Sequence, residues 1–115
     1  MDEKRYLRLT EEAFHRIEDA FEEVDPDLAE VSVAGDVLTI TYRGGSRCVV
    51  NTQRPTRQIW LAARSRGWHF DFDEESGAWL DDHGAGMELY RCVEEVTRET
   101  VGLAVTVRPA SSSRA

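Results

Sequence analysis

The sequence predicts an α+β fold, a two-layer α-β sandwich with helices at the N- and C-termini packed on one face of an antiparallel sheet of about six strands. Apolar residues recur at three- and four-residue steps over about 2–24 and again over about 87–101, the spacing of amphipathic helices. Between 30 and 82 the period changes to two, and turn residues separate short segments. Hairpin spacings of this kind indicate antiparallel pairing, so we expect the helices to cover one face and leave the other open.

Each element has its own signal in the chain. The apolar stripe of the first helix consists of Tyr6, Leu9, Ala13, Ile17, Ala20, Phe21 and Val24. Pro26 is expected to end this helix, since its ring removes a backbone donor. Strands are predicted near 30–34, 37–43, 46–51, 58–63, 68–73 and 78–81, with Gly67 as one of the turn signals. Gly102 suits the left-handed position after the second helix, and the alternation over 103–107 predicts a segment that packs against the domain.

Composition limits both domain number and function. The 115 residues, 41% of them hydrophobic, suffice for one core, so we predict a single domain over 1–107 and a flexible tail over 108–115. A net charge of −8 argues against nucleic-acid binding and favours cations or basic protein surfaces as partners. No stretch of about 18 apolar residues is present to span a membrane, and the N-terminus lacks a signal pattern, so we expect a cytoplasmic protein.

The two cysteines are far apart in the chain. Cys48 and Cys92 show no Cys-x-x-Cys or Cys/His ligand spacing. The sequence therefore predicts buried, reduced thiols rather than a zinc site or a disulfide.

The alternation of apolar and polar residues assigns the two faces of the sheet. The aliphatic residues of the second and fourth strands are expected in the core, so Trp60 projects from the uncovered face. Its predicted neighbours there are Thr39, Thr41, Asn51 and Gln58. A large aromatic on a polar, uncharged surface is typical of a binding hot spot. The alternative is a tryptophan partly buried under Arg47 or Arg57, and the sequence leaves the two open.

A row of carboxylates lies opposite the apolar stripe of the first helix and continues past its end. This acidic ridge consists of Glu11, Glu18, Asp19, Glu22, Glu23, Asp25, Asp27 and Glu30. Like-charge pairs four residues apart, such as Glu18 with Glu22, each cost about 0.2–0.5 kcal/mol. Glu22 and Glu23 are also predicted in the last helical turn, where the helix dipole disfavours anions. Several unfavourable local choices at one place mark a candidate functional site, although a solvated helix face is the ordinary alternative.

The ligand chemistry of the ridge indicates what it could bind. Carboxylates without sulfur donors suit hard cations, including ferrous and ferric iron, manganese or calcium. Because outward-facing side chains cannot wrap an ion, we expect weak, exposed and salt-sensitive binding in which other divalent cations substitute for iron. The same charges would also dock on a basic protein surface.

Histidine is sparse. His15 lies within the ridge and is either a titrating surface residue or an auxiliary ligand. The Glu12-x-x-His15 spacing matches one half of a di-iron motif, but a di-iron bundle needs two such motifs on four helices. His69 is predicted on the open face beside Trp60 and His83 in a turn, and neither is assigned a role.

Four segments resemble a known family. They are LTITY at 38–42, CVVNTQRP at 48–55, QIWLA at 58–62 and GWHFD at 67–71, followed by Trp79. They are similar to the signature of the frataxin family, whose bacterial members are of the CyaY type. The resemblance extends over about 6–107, and the Asn-x-Gln-x-Pro-x-x-Gln-Ile-Trp-Leu run is specific.

The resemblance implies both a function and its sites. Family members are α-β sandwiches that bind iron weakly and associate with the cysteine desulfurase and the scaffold protein of iron–sulfur cluster assembly. Glu18, Asp19, Glu22, Glu23, Asp25 and Glu30 match the family's iron-binding ridge by position. Asn51, Gln53 and Trp60 match its partner-binding sheet face, to which the alternation of the fourth strand adds Gln58. The implied protein is a bacterial, cytoplasmic monomer in the absence of iron.

The sequence and the resemblance together leave three hypotheses for the function. The first is a non-catalytic regulator of the desulfurase and scaffold complex or an iron donor to it. The second is a ferroxidase or iron-storage enzyme, which the missing di-iron motif disfavours. The third is an acidic adaptor that acts without iron.

Overall fold

The computed structural model describes residues 1–84 and 86–108, and it confirms the predicted α+β sandwich. The predicted tail lies outside these ranges except for Arg108. The elements in chain order are α1 (Glu3–Ala20), β1 (Ala29–Ala34), β2 (Val37–Tyr42), β3 (Arg47–Gln53), a 3₁₀ turn (Arg54–Thr56), β4 (Gln58–Ala63), β5 (Arg66–Asp73), β6 (Ala78–Asp81) and α2 (Leu89–Val101). In the described ranges, no helix has the length and apolar character needed to cross a membrane.

The six strands form one antiparallel meander in the order β1-β2-β3-β4-β5-β6. Both helices contribute to a core on one side of it, as the hydroxyl contact between Tyr42 of β2 and Thr97 of α2 at 2.9 Å illustrates. Fully buried residues of this core include Tyr6, Ile17, Leu38, Ile40, Val50, Ile59, Leu61, Phe70, Leu89 and Val93. The predicted inward set of β2 and β4 is therefore confirmed.

Tyr6 ties the first helix to the sheet. Its buried hydroxyl donates to the carbonyl oxygen of Gln58 at 2.6 Å and accepts from the backbone N–H of Gln53 at 3.0 Å. These two residues flank the 3₁₀ turn between β3 and β4. One side chain thus satisfies the hydrogen bonding of two backbone groups at the turn between β3 and β4. Burial raises the pKa of the Tyr6 phenol.

Helix α1 ends earlier than its sequence pattern predicts. Asp2 caps its start by accepting from the N–H of Arg5 at 2.8 Å. The last helical residue is Ala20, and the N–H of Val24 bonds to the carbonyl of Phe21 in a separate turn. Pro26 has no backbone N–H to donate to a helical carbonyl, and it disfavours helical backbone at the residue before it. The helix therefore ends before it reaches Pro26.

This earlier end corrects one argument about the ridge. Glu22 and Glu23 lie beyond the helix, so the predicted repulsion from its last turn does not act on them as helical residues. Glu18 and Asp19 occupy the last turn instead, and that turn contains no basic residue. The helix dipole therefore disfavours the negative charges of Glu18 and Asp19, in place of those of Glu22 and Glu23.

The hairpin between β4 and β5 also differs from the prediction. β5 starts at Arg66, two residues before the predicted strand, and Gly67 pairs with Ala62 inside the ladder. The turn consists of Arg64 and Ser65, with φ values of 52° and 63°. A two-residue hairpin loop needs left-handed backbone at both positions, which neither residue adopts readily. The sequence predicted the turn at Gly67, but Gly67 lies in β5 and the turn is formed by two residues that are not glycine.

Replacing Ser65 by glycine is expected to raise the free energy of unfolding by about 0.5–1 kcal/mol, since glycine adopts positive φ without steric cost. Chemical denaturation would show a higher midpoint at unchanged slope. Ser46→Gly is the matched control, because Ser46 is an exposed serine at another hairpin without positive φ. An equal gain in both variants would contradict the assignment of strain to Ser65.

The C-terminal elements agree with their predictions. α2 begins at Leu89, two residues later than predicted, and Gly102 has the expected left-handed φ of 71°. Beyond it, Val107 is buried and its N–H donates to a carboxylate oxygen of Glu94 at 2.8 Å. The segment after α2 therefore packs along that helix.

The predicted state of the cysteines is confirmed. Cys48 and Cys92 are both buried and free. Burial raises the pKa of the Cys48 thiol to about 12.

Candidate functional site

The acidic ridge runs along the exposed side of α1 and over the connection to β1. Three of its residues lie on the helix, four in the connection and one, Glu30, on β1. All eight are solvent-exposed. Over the described residues, none of these eight carboxylates is in an ion pair with a lysine or arginine. The negative charge of the ridge is therefore left for solvent or a ligand.

Shallow grooves lie along the ridge, and Glu18 lines two of them. The first, about 490 Å³, is also lined by Glu11 and His15. The second, about 310 Å³, lies between the end of α1 and β1 and is also lined by Glu22 and Glu30. The structure thus brings a helical and a strand carboxylate to one groove. His15 is exposed beside Glu11, where an auxiliary ligand would have to lie.

The ridge is not assembled for closed coordination. Within 1–84 and 86–108, its carboxylates do not converge in threes within the 4.8 Å that a shared ion would require. Asp25 also serves the local fold, because its carboxylate accepts from the N–H of Asp27 at 2.9 Å. Oxygen donors spaced in this way fit a hard cation that keeps most of its water.

Trp60 lies at the centre of the open face. Its cross-strand partners are Asn51 on β3 and His69 on β5, which therefore share its face. The indole stacks on the imidazole of His69, with ring centroids 4.2 Å apart and planes 15° apart. Of the two arginines expected near it, Arg57 lies instead over the ring of Tyr6, 5.8 Å from its centroid. Trp60 is half-buried, with its exposed part available for contact.

Gln58 holds this indole in place. Its side-chain oxygen accepts from the indole N–H of Trp60 at 2.9 Å. Its amide nitrogen donates to Asp71 at 3.1 Å and to Asp82 at 3.0 Å. With only 9% of the residue exposed, Gln58 orients Trp60 and offers little surface of its own. Asn51 and Gln53 are half-buried at the same end of the sheet.

Sequence reasoning missed the acidic neighbours of this tryptophan. His69 Nδ1 lies 3.7 Å from Asp82 Oδ2, and His83 Nδ1 lies 3.1 Å from Asp82 Oδ1. The sequence signal was present in two forms. One is the consecutive Asp81-Asp82-His83 run at the end of β6, and the other is the β4–β5 register, which sets His69 opposite Trp60.

Comparison with known proteins agrees with this fold. The family model of the frataxin-like domain matches residues 1–103. The iron-sulfur cluster assembly protein CyaY of Pseudomonas aeruginosa is 44% identical over 102 residues, covering 89% of this chain and 93% of the relative. The protein of the same name from Azotobacter vinelandii is 39% identical, covering 89% and 91%.

Solved structures of frataxins have a similar fold. Frataxin from Psychromonas ingrahamii superposes with a TM-score of 0.84 at 24% identity, covering 94% of this chain and 99% of that one, which supports the fold. Trimeric frataxin from Saccharomyces cerevisiae, in a ferrous complex, superposes with a TM-score of 0.69 at 25% identity, covering 83% and 87%. By its family model and its relatives, this chain belongs to the frataxin family, as a member of the bacterial CyaY type.

Proposed function

We propose that this protein is an iron-binding factor of iron–sulfur cluster assembly in the bacterial cytoplasm, without catalytic activity of its own. The observation that carries the proposal is the row of exposed carboxylates on α1 and the connection to β1, which form no ion pair with a lysine or arginine in the part of the chain that the structure describes. Such a surface attracts hard cations and basic proteins. Relatives that share most of this chain are named as iron-sulfur cluster assembly proteins.

Iron is the cation that we assign to the ridge. The oxygen donors around Glu18 suit ferrous and ferric ions, and a yeast relative has been solved in a ferrous complex. Because the donors are exposed and widely spaced, we expect weak, hydrated binding that manganese or other divalent cations can share. Weak binding suits a protein that gives up its ion to another, or whose iron load reports iron supply.

The open face is the surface that we assign to protein partners. Trp60 presents an aromatic group that is held on one side by His69 and on its edge by Gln58. Preorganised aromatics of this kind dominate binding energies at interfaces. The partners proposed are the cysteine desulfurase and the scaffold protein, which this protein would regulate or supply with iron.

The charge distribution supports an oriented complex. From Val37 to Phe70 the chain contains no Asp or Glu, whereas six arginines are present there. The ridge is anionic throughout. A molecule with this polarity is oriented by the field of a partner before contact, which increases the association rate at low salt.

The geometry favours a binding role over ferroxidase chemistry. Iron oxidation in di-iron proteins uses carboxylates and histidines that face one another from several helices. The ridge instead presents its donors outward from one helix, the connection after it and the start of β1. This arrangement can hold and release an ion, but it does not enclose one.

The test is a reconstituted assembly reaction under anaerobic conditions. Adding the protein to desulfurase, scaffold, cysteine and ferrous iron is expected to change the rate of sulfide release or cluster formation several-fold, with saturation near one equivalent. The effect should weaken as salt rises, since exposed charges are screened. Rates that stay the same at every protein concentration would contradict the proposal.

A further inference from the structure

We propose a second metal site, separate from the acidic ridge, in which Asp81, Asp82, His83 and His69 bind a divalent first-row transition ion beside Trp60. None of these residues belongs to the ridge. The site lies where β6 ends, on the loop that leads to α2, and β5 contributes the fourth residue. It does not depend on the role proposed for the ridge.

The donor atoms already converge. One oxygen or nitrogen from each of Asp81, Asp82 and His83 lies within 4.8 Å of the others, and in the described residues no other trio of Asp, Glu, His or Cys side chains does so. His83 Nδ1 is 3.5 Å from Asp81 Oδ1 and 3.1 Å from Asp82 Oδ1. Ligands around one ion with bonds of about 2.0–2.2 Å are themselves about 3.0–3.5 Å apart. The present spacing therefore needs little rearrangement to admit an ion.

A histidine from another strand lies beside this trio, and its ring would have to shift toward Asp81 and His83 to share their ion. His69 Nδ1 lies 3.7 Å from the second carboxylate oxygen of Asp82, and the two imidazole centroids of His69 and His83 are 6.4 Å apart. His69 is distant from the loop residues in sequence but adjacent to them in space, because the backbone N–H of Asp82 donates to the carbonyl oxygen of His69 at 2.8 Å. The fold thus fixes the distance between the strand and the loop.

The loop is held by its own backbone bonds. The Asp81 side chain is only 4% exposed, and its Oδ1 accepts from the backbone N–H of His83 at 3.2 Å. The N–H of Asp81 donates to Met87 at 2.9 Å. The His83 side chain is 75% exposed, so an ion can reach the site from solvent. A fixed, nearly buried carboxylate with an open imidazole beside it combines a preformed ligand with an entry path.

The donor set determines the class of ion. Two carboxylates and two imidazoles, without sulfur, suit Fe²⁺, Co²⁺, Ni²⁺ or Zn²⁺. Mg²⁺ and Ca²⁺ prefer oxygen ligands and gain little from imidazole. The site should therefore differ in selectivity from the ridge, which offers oxygen donors with His15 as its nearest imidazole.

An ion here would act on the tryptophan surface. Asp82 Oδ2 accepts from Gln58 at 3.0 Å, and Gln58 in turn accepts from the indole of Trp60. The same indole stacks on His69. Metal binding to Asp82 would compete with its hydrogen bond from Gln58, and metal binding to His69 would fix the ring on which Trp60 stacks. The orientation of Trp60 would therefore depend on the metal.

Co²⁺ is the probe for the test, added to the full chain in the presence of excess Mg²⁺ to occupy the ridge. In ¹H–¹⁵N NMR spectra we expect paramagnetic broadening of the amides of 69 and 81–84. Tryptophan fluorescence should be quenched at the same Co²⁺ concentrations, and Trp60→Phe should remove most of that quenching. His83→Asn should weaken Co²⁺ binding at this loop at least tenfold.

The matched control is the ridge variant Glu18→Gln/Asp19→Asn/Glu22→Gln, which should leave broadening at the loop unchanged. Because His83 is exposed, its substitution should leave the amide spectrum outside the loop intact, which verifies folding. Broadening confined to the ridge in the unmodified protein would overturn the proposal. So would an affinity at the loop that His83→Asn changes by less than about twofold.

Discussion

Replacing Trp60 by alanine is expected to weaken binding to the desulfurase and scaffold complex by about 30-fold or more, equivalent to about 2 kcal/mol. The indole is preorganised by Gln58 and His69, so little conformational entropy is lost when it contacts a partner. Because Trp60 is half-buried on the open face, its truncation leaves the opposite core intact. Isothermal titration calorimetry against the assembled complex measures the loss, and circular dichroism checks the fold.

Val37→Ala is the matched control for this substitution. Val37 is 38% exposed and pairs with Asn51, so it lies on the same face of the sheet as Trp60. Its truncation is expected to change the dissociation constant by less than about twofold, since hot spots are surrounded by residues of small effect. Equal losses in the two variants would show that the open face contributes area without a tryptophan hot spot.

Neutralising the ridge by Glu18→Gln, Asp19→Asn and Glu22→Gln is expected to reduce ferrous-iron affinity at least tenfold. It removes Glu18 and Glu22, which line the groove between α1 and β1, together with Asp19, which follows Glu18 in the last turn of α1. The same change should increase the free energy of unfolding by about 0.5–1 kcal/mol, because anions in the last turn of α1 oppose its dipole. Anaerobic iron titration and guanidinium denaturation measure the two effects.

A charge-matched control separates the ridge from net charge. Glu74→Gln, Glu75→Gln and Glu99→Gln also remove three negative charges and change the net charge from −8 to −5. These residues lie outside the ridge, and iron affinity should stay within about twofold. If both triple variants lose iron equally, the ion responds to overall charge and has no preferred location on α1.

The hydrophobic period was sufficient to predict the order and type of the elements. Strands β4 and β6 have the predicted bounds, and the core residues of β2 lie where alternation put them. Element ends were less predictable because they depend on hydrogen bonds that leave no periodic signal. Ala20 ends α1 through turn bonds, and Ser65 adopts a backbone conformation that a sequence pattern assigns to glycine.

The acidic ridge and the surroundings of Trp60 also differed in how far the sequence predicted them. The exposure of the ridge carboxylates was predictable because they follow one another on α1, on the connection and at the start of β1. The surroundings of Trp60 were not, since Gln58, His69 and Asp82 meet only through strand register and side-chain bonds. Gln58 was expected on the surface, whereas it is buried and its amide nitrogen donates to Asp71 and Asp82.

The hydroxyl of Tyr6 has a consequence for partner choice. Its bonds to Gln53 and Gln58 join the helix that bears the ridge to the strands that bear Trp60. We therefore expect the distance between the two surfaces to change little when either of them binds. A protein that engages both must match that distance, so geometry discriminates between partners that have similar charge.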